Sequence, residues 1–598
     1  MELKKREDFP TKELWDLSAL YQDREDFLRH IEKALEDISN FKKNYLNSLN
    51  TLDDYNSALM EYEQILIQIS HLSTYSFMPQ TTDFSNEEFA QIAQAGQDFM
   101  TKSSVELNFF DTALVTAPGH ILDQLAKKKY FSAYIREIRL KKTHFLGDEI
   151  EKTLTNLREV FESPCDIYTK MRAGDFEMED FEVDGKLYKN SFVTYENYYQ
   201  NHENAEIREK AFRSFSNGLR KHQNAAAASY LAQVKSEKLI SDMRGFESVI
   251  DSLLVSQEVD RSMFNRQIDL IMTDFAPIAR KYLKHVAKIN GIKKLTFADW
   301  KLDLDTELNP EVSIDDSYDL VMESIKPLGE EYLNEIKRYQ TERWVDFAAN
   351  ENKDSGGYAA DPYRVHPYVL MSWTGRLSDV YTLIHEIGHS GQFIFSDNAQ
   401  SIFNTHMSTY YVEAPSTFNE LLLSDYLEQT SDDIRQKRFA LAHRLTDTYF
   451  HNFITHLLEA AFQRRVYSLI EEGKTFGAHQ LNHIMKEVLT EFWGDAIEID
   501  DDAALTWMRQ SHYYYGLYSY TYSAGLVIAT AGYLNLKNNP NGAQEWLSFL
   551  KSGGSLTPLD TAKIIGADIS TDKPLKDTIA FLDETVEKII AYSNEINL

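Results

Sequence analysis

Apolar residues recur at helical spacing along most of this chain. Phe27, Ile31, Ala34 and Ile38 fall on one face of a helix, and Leu59, Tyr62, Leu66 and Ile69 repeat the pattern further on. Loops at Pro79 and at Pro118-Gly119 are expected to separate such helices. The period then changes. Asp184-Gly185, between Phe176-Glu177-Met178-Glu179 and Leu187-Tyr188, predicts a short hairpin near residue 185. From about Tyr195 helical spacing returns and carries Ala211, Phe215, Leu231, Val234 and Leu239 toward Arg244-Gly245. This places a soft boundary near residue 200, dividing a helical N-terminal lobe over 1–200 from a larger domain over 201–598. Neither a Ser/Gly-rich linker nor a repeat marks it, so the lobes should pack together.

Between Leu295 and Trp373 the pattern is less helical. Lys301-Leu302-Asp303-Leu304 reads as extended, and Asp354-Ser355-Gly356-Gly357-Tyr358 as a flexible turn. His366-Pro367-Tyr368-Val369-Leu370-Met371-Ser372-Trp373 is rich in β-formers and opens at a proline, which predicts an edge strand. Such an edge could pair with an extended peptide. Immediately afterwards Val380, Ile384 and Ile387 form the apolar stripe of another helix, whose first turn Ser378 or Asp379 can cap.

Composition strengthens the helical reading. Only 24 Gly and 13 Pro occur in 598 residues, and none of the prolines lies between Pro164 and Pro277 or between Pro415 and Pro540. The expected fold is mainly α, and its length calls for more than one lobe. A formal charge of −31 argues against a nucleic-acid-binding or anionic-membrane surface. One cysteine, Cys165, can form no intrachain disulfide. The first residues lead into no apolar signal segment, and no run of 18 apolar residues follows. A soluble cytoplasmic protein is expected.

The chemistry is concentrated in Leu383-Ile384-His385-Glu386-Ile387-Gly388-His389. On a helix His385 and His389 project from one face and can share a metal ion, while Glu386 remains free to take a proton from water. Catalytic zinc usually has a third protein ligand. Glu413 and Glu420, seven residues apart on the helix that Pro415 begins, both satisfy the spacing, which does not choose between them. Further on, His512 precedes a tyrosine-rich run in which Tyr515, Tyr518 and Tyr522 share a face if the segment is helical. Their hydroxyls are potential donors to an oxyanion.

Taken together, His385-Glu386-Ile387-Gly388-His389, then Val412-Glu413-Ala414-Pro415-Ser416 through Phe418-Asn419-Glu420, then His512 with the tyrosines closing on Ser523-Ala524-Gly525, resemble the thimet oligopeptidase and oligoendopeptidase F family of zinc peptidases. Trp15-Asp16-Leu17-Ser18 and Pro367-Tyr368 through Val380 also resemble the oligoendopeptidase F branch. The resemblance implies a two-lobed helical ellipsoid with a deep central channel and a small sheet beside the metal helix. It implies one Zn2+ per chain on His385, His389 and Glu413, with Glu420 in support and Glu386 as general base. His512, Tyr515 and Tyr518 best match the family's carbonyl- and oxyanion-binding residues, with Tyr514, Tyr520 and Tyr522 close by. Gln392 stands where family members often have histidine. Tyr368, Gly356, Gly357 and Tyr522 are the expected substrate-contacting positions. Internal cleavage of short unstructured peptides by a monomer or weak homo-oligomer follows. The rival expectations are a non-catalytic helical peptide-binding or scaffold protein and a metal-dependent hydrolase of another substrate.

Overall fold

The computed structural model describes residues 4–308, 310–354 and 356–596. Helices dominate it, and their starts follow from local chemistry. Helix α1 (Arg24–Tyr45) begins where the Asp23 carboxylate accepts the Asp26 N–H, and it buries Phe27, Ile31, Ala34, Ile38 and Phe41. In α2 (Leu52–Thr82), Thr51 and Asp54 form a reciprocal capping box. This helix runs through Pro79, which corrects the expected loop there. Burial of Met78, Pro79 and Thr82 holds its last turn in place. Helix α3 (Glu87–Thr116) packs on both, and the loop expected at Pro118-Gly119 follows it.

One apolar cluster spans Tyr21 to Ile138 and takes in Phe403. A larger cluster starts at Tyr168 and extends to Ile589. Strands β1 (Phe181–Val183) and β2 (Lys186–Tyr188) form the antiparallel hairpin, with Asp184 and Gly185 both at positive φ. The hairpin's Phe181 and Val183 belong to the larger cluster, so core packing divides the chain between Ile138 and Tyr168, ahead of residue 200. Helix α4 (Ala205–Met243) follows, capped by Asn204.

A three-stranded sheet is assembled from β3 (Val345–Asp346), β4 (Tyr358–Ala360) and β5 (Tyr368–Leu370). Strand β5 is central, parallel to β3 and antiparallel to β4. The Tyr368 segment is therefore not the edge that its proline suggested; β4 is. The N-terminal segment is fastened beneath this sheet. Arg6 and Lys353 both pair with the buried Asp346, and Trp15 packs edge-on against Tyr368 at 6.2 Å. Lys301-Leu302-Asp303-Leu304 forms no strand.

Helix α5 (Leu377–Ala399) starts after Arg376, where the Asp379 carboxylate accepts the N–H groups of Thr374 and Arg376 at 2.7 and 3.0 Å. It packs along α6 (Ala414–Thr430), with Pro415 in its first turn. Helices α7 (His456–Glu471) and α8 (Ser519–Asn538) complete the surroundings of the site, α8 lying against both α6 and α7. No described helix is long and apolar enough to cross a membrane.

Candidate active site

Helical spacing brings His385 and His389 together on α5, with ring centroids 5.0 Å apart. Opposite them, at the start of α6, Glu413 places Oε2 3.4 Å from His385 Nε2 and 3.3 Å from His389 Nε2. Ser416 Oγ donates to the same oxygen at 2.9 Å. All three donor atoms lie within 4.8 Å of one another. Glu420, two turns along α6, approaches the other edge of His385: its Oε1 lies 2.6 Å from Nδ1. A carboxylate only accepts here, so Nδ1 carries the hydrogen and Nε2 is the nitrogen that faces Glu413. Thr448 donates to the second Glu420 oxygen. Glu413, and not Glu420, thus joins the donor triangle.

Two glycines permit this approach. A Cβ on Gly388 would lie 2.4 Å from Pro415 O and 2.6 Å from Ser416 Cα, so only glycine lets α5 and α6 come this close. A Cβ on Gly525 of α8 would meet Ala414 N and the Glu413 side chain, each at 3.3 Å.

Glu386 is 6% exposed, and its carboxylate has no hydrogen-bond partner among the described residues. Burial raises its pKa above the ordinary glutamate value, with the nearby histidines working against the shift. Burial also works against charge on Glu413, but His389 and His385 hold its carboxyl well below the usual range. For His385, desolvation opposes the charged ring, yet Glu413 and Glu420 raise its pKa well above that of an ordinary imidazole.

The backbone at Gly357 passes beside Glu386: a Cβ there would lie 3.4 Å from Glu386 Oε1 and 3.1 Å from the Thr382 methyl. Gly356 precedes it at φ +90°. Gly357 therefore borders Glu386, Gly356 has no side chain or backbone of the site against it, and both lead into edge strand β4. Tyr368 does not border the site. It is 0% exposed, held between Trp15 and His366, in a strand that is paired on both sides. Gln392 is also buried, and its amide donates to Leu550 O at 3.2 Å.

The tyrosine run divides. Residues Ser511–Tyr514 form a 3-10 turn, Gly516 adopts φ +63°, and α8 begins only at Ser519. Tyr515 consequently leaves the expected helical face. It is 58% exposed and takes a contact from Cys165 Sγ at 3.7 Å, away from the histidines. Tyr518 and Tyr522 remain together, with ring centroids 5.2 Å apart in an edge-on contact. Burial, then the neighbouring phenol and Glu413, pushes Tyr522 upward; burial likewise raises Tyr518, so both phenols stay protonated. His512 lies 5.7 and 5.6 Å, ring to ring, from Tyr518 and Tyr522. Sequence reasoning missed His456 and Glu459, which pack against His512, and His451, which packs against His456. The i, i+3 pair His456 and Glu459 was the available signal.

A cavity of about 1190 Å³ lies between the two apolar cores, bordered by Ser70 and Tyr134 on one side and His406 and Gly554 on the other. Tyr363 and Asp361, which follow β4, also line it.

Known proteins share this architecture and sequence pattern along nearly the whole chain. Oligopeptidase PepF of Bacillus subtilis is 23% identical over 594 residues, covering 98% of this chain and 88% of the relative. An oligoendopeptidase F homolog of Borreliella burgdorferi is 26% identical, with 98% and 99% of the two chains covered. Among solved structures, oligoendopeptidase-F from Enterococcus faecium gives a TM-score of 0.72 at 19% identity, covering 96% of this chain and 98% of its own. A Chlamydophila abortus structure gives 0.86 at 23% identity, covering 99% and 100%. The expected mainly α fold is shared with these structures. With the family's sequence model matching residues 198–581, which include every histidine and glutamate of the donor triangle, the chain belongs to peptidase family M3.

Proposed function

We propose that this peptidase is a zinc-dependent endopeptidase that cleaves internal bonds of short, unstructured peptides. The observation that carries this reading is the triangle of His385 Nε2, His389 Nε2 and Glu413 Oε2. Its 3.3 and 3.4 Å edges match those of a tetrahedral ion with ligand bonds of about 2.0–2.2 Å. Two imidazoles and one carboxylate suit zinc and leave a coordination position open. When bound, zinc would lower the pKa of a water from about 15.7 to roughly 7 and polarise the scissile carbonyl.

The chain's own residues perform the remaining work. Glu386, buried beside the triangle and raised in pKa, accepts the proton of the attacking water and returns it to the departing amine. Tyr518 and Tyr522, protonated and facing Glu413, donate to the oxygen that gains charge, with His512 beside them. Glu420 fixes the orientation of His385. Edge strand β4 offers its open side to the peptide main chain, and Gly357 allows that chain to reach Glu386 without a side chain in the way. The 201–598 domain carries the whole constellation, and residues from both sides of position 200 line the inter-core cavity. The absence of a described membrane-spanning helix and the lone Cys165 support a cytoplasmic location.

The test uses an internally quenched peptide and the purified full chain. Chelation should abolish cleavage and added zinc restore it. Glu386→Gln should retain zinc but lose at least about a thousandfold in kcat, as a missing proton carrier requires. Chelator-resistant cleavage, or ordinary turnover by Glu386→Gln, would reject the reading.

A further inference from the structure

Glu459 is a buried acid that none of the steps above uses. Its Oε2 receives three contacts: His456 Nδ1 at 3.1 Å, His512 Nδ1 at 3.2 Å and Ser519 Oγ at 3.1 Å. Ser519 opens α8, so the N-terminal end of that helix also faces the carboxylate. Burial opposes the charge on Glu459, but His456 and His512 hold its pKa below the ordinary range, so it remains a carboxylate.

The hydrogen positions follow from this. A carboxylate can only accept, so both His456 Nδ1 and His512 Nδ1 carry hydrogen. Burial keeps His456 and His451 below the usual imidazole pKa, so both rings are neutral. His456 Nε2 is then bare and accepts from His451 Nε2, 3.1 Å away. Each ring nitrogen between His451 Nε2 and His512 Nδ1 has a defined role. Stacking of Tyr522 on His456 at 4.1 Å joins this array to the tyrosines of the site.

Two histidines and a glutamate also satisfy the spacing for a cation. The surroundings oppose one. Arg509 lies behind the cluster, paired with Glu196 at 2.6 Å, and buried Lys301 has its pKa pushed down to about 7. Hydrogen bonding satisfies the cluster without an ion.

We infer that Glu459 is a positioning residue that acts through His512, fixing the ring with Nδ1 inward and Nε2 presented to the substrate oxyanion. This deepens the proposed peptidase mechanism and rests on it. His456, held by His451, keeps the Glu459 carboxylate from rotating away, and Ser519 ties it to the helix that carries Tyr522. A misoriented donor is lost to catalysis even though the residue remains present.

The experiment is a double-mutant cycle in the full-length protein with zinc content measured in parallel. Glu459→Gln preserves shape and removes charge; Glu459→Asp preserves charge and withdraws it by one methylene. Each should lower kcat by roughly 10- to 100-fold with KM within about threefold and zinc unchanged. In a His512→Gln background the same substitutions should cost less than about threefold, because no ring remains to orient. If Glu459→Gln does not fold, Glu459→Asp decides on the same terms. Wild-type kcat, or an undiminished loss in the His512→Gln background, overturns the inference. So does a second zinc equivalent in the wild type that Glu459→Gln removes. If the unsubstituted protein lacks zinc- and Glu386-dependent cleavage, the peptidase reading itself fails. Normal Glu386 dependence with an indifferent Glu459 defeats this inference alone.

Discussion

Glu386 and Glu459 are both buried glutamates, yet their partners drive them in opposite directions. Glu386 has no donor among the described residues and burial raises its pKa, as a proton carrier needs; burial opposes charge on Glu459 too, but its imidazole donors keep it ionised. The tyrosines divide in the same local way. Tyr518→Phe and Tyr522→Phe should each reduce kcat by roughly 10- to 100-fold, whereas Tyr515→Phe should stay within about twofold, measured by steady-state hydrolysis of one peptide. Equal losses at all three positions would contradict the placement of Tyr515. His385, Glu386 and His389 were legible because a helix forces residues four apart onto one face. Tyr515 was not, because the left-handed turn at Gly516 ends any helical phase between it and Tyr518.

Helices α5 and α6 meet through Gly388, and this contact sets where Glu413 stands. Gly388→Ala would force the pair apart, with overpacking typically costing about 1–3 kcal/mol. We expect weaker zinc retention, by at least about tenfold, in equilibrium dialysis against a chelator. Unchanged retention would show that the helices relax without moving Glu413. A second joint links strand β4 to the end of α5. Asp361, just past the strand, faces Asp397 in the helix's last turns, and the Arg364 N–H donates to Asp397 at 2.8 Å. Burial and then mutual repulsion raise Asp361 well above the ordinary carboxyl value; burial raises Asp397 to about 6. Because these folded-state pKa values exceed 3.8, the folded protein binds more protons than the unfolded chain above that pH. Stability contributed by the protonated pair is therefore lost as pH rises from about 4 through 6 and beyond. Asp361→Asn should raise the melting temperature, least at pH 4 and increasingly toward pH 8. A pH-independent change would contradict this account. The pairing was invisible in sequence, since 36 positions separate the two residues and no local pattern joins them. Strand order was similarly hidden: Pro367 marks an extended segment, but β3 and β4 arrive from elsewhere to enclose it.

Across the molecule, helical periodicity and scarce proline exposed the fold class, because amphipathic helices carry their burial pattern in sequence. The division into two cores was only partly legible, since the hairpin and the residues from Tyr168 have no linker to announce their partner. The cavity between those cores is lined by Asp361 and Tyr363, just past edge strand β4, and by no residue of the donor triangle. On the proposed peptidase reading, a cleavable sequence should be cut as a free peptide and resist cleavage inside a stable protein, followed by mass spectrometry. Comparable rates would contradict the restriction to short, unstructured peptides. The central claim is that His385, His389 and Glu413 hold one catalytic zinc. Its most direct measurement is elemental analysis of dialysed wild type, Glu413→Ala and Glu420→Ala, each assayed for peptide hydrolysis on the same sample. We predict about one zinc in the wild type, nearly none in Glu413→Ala, and an intermediate amount in Glu420→Ala, with activity following metal. Full zinc in Glu413→Ala, or cleavage by metal-free wild type, would contradict it.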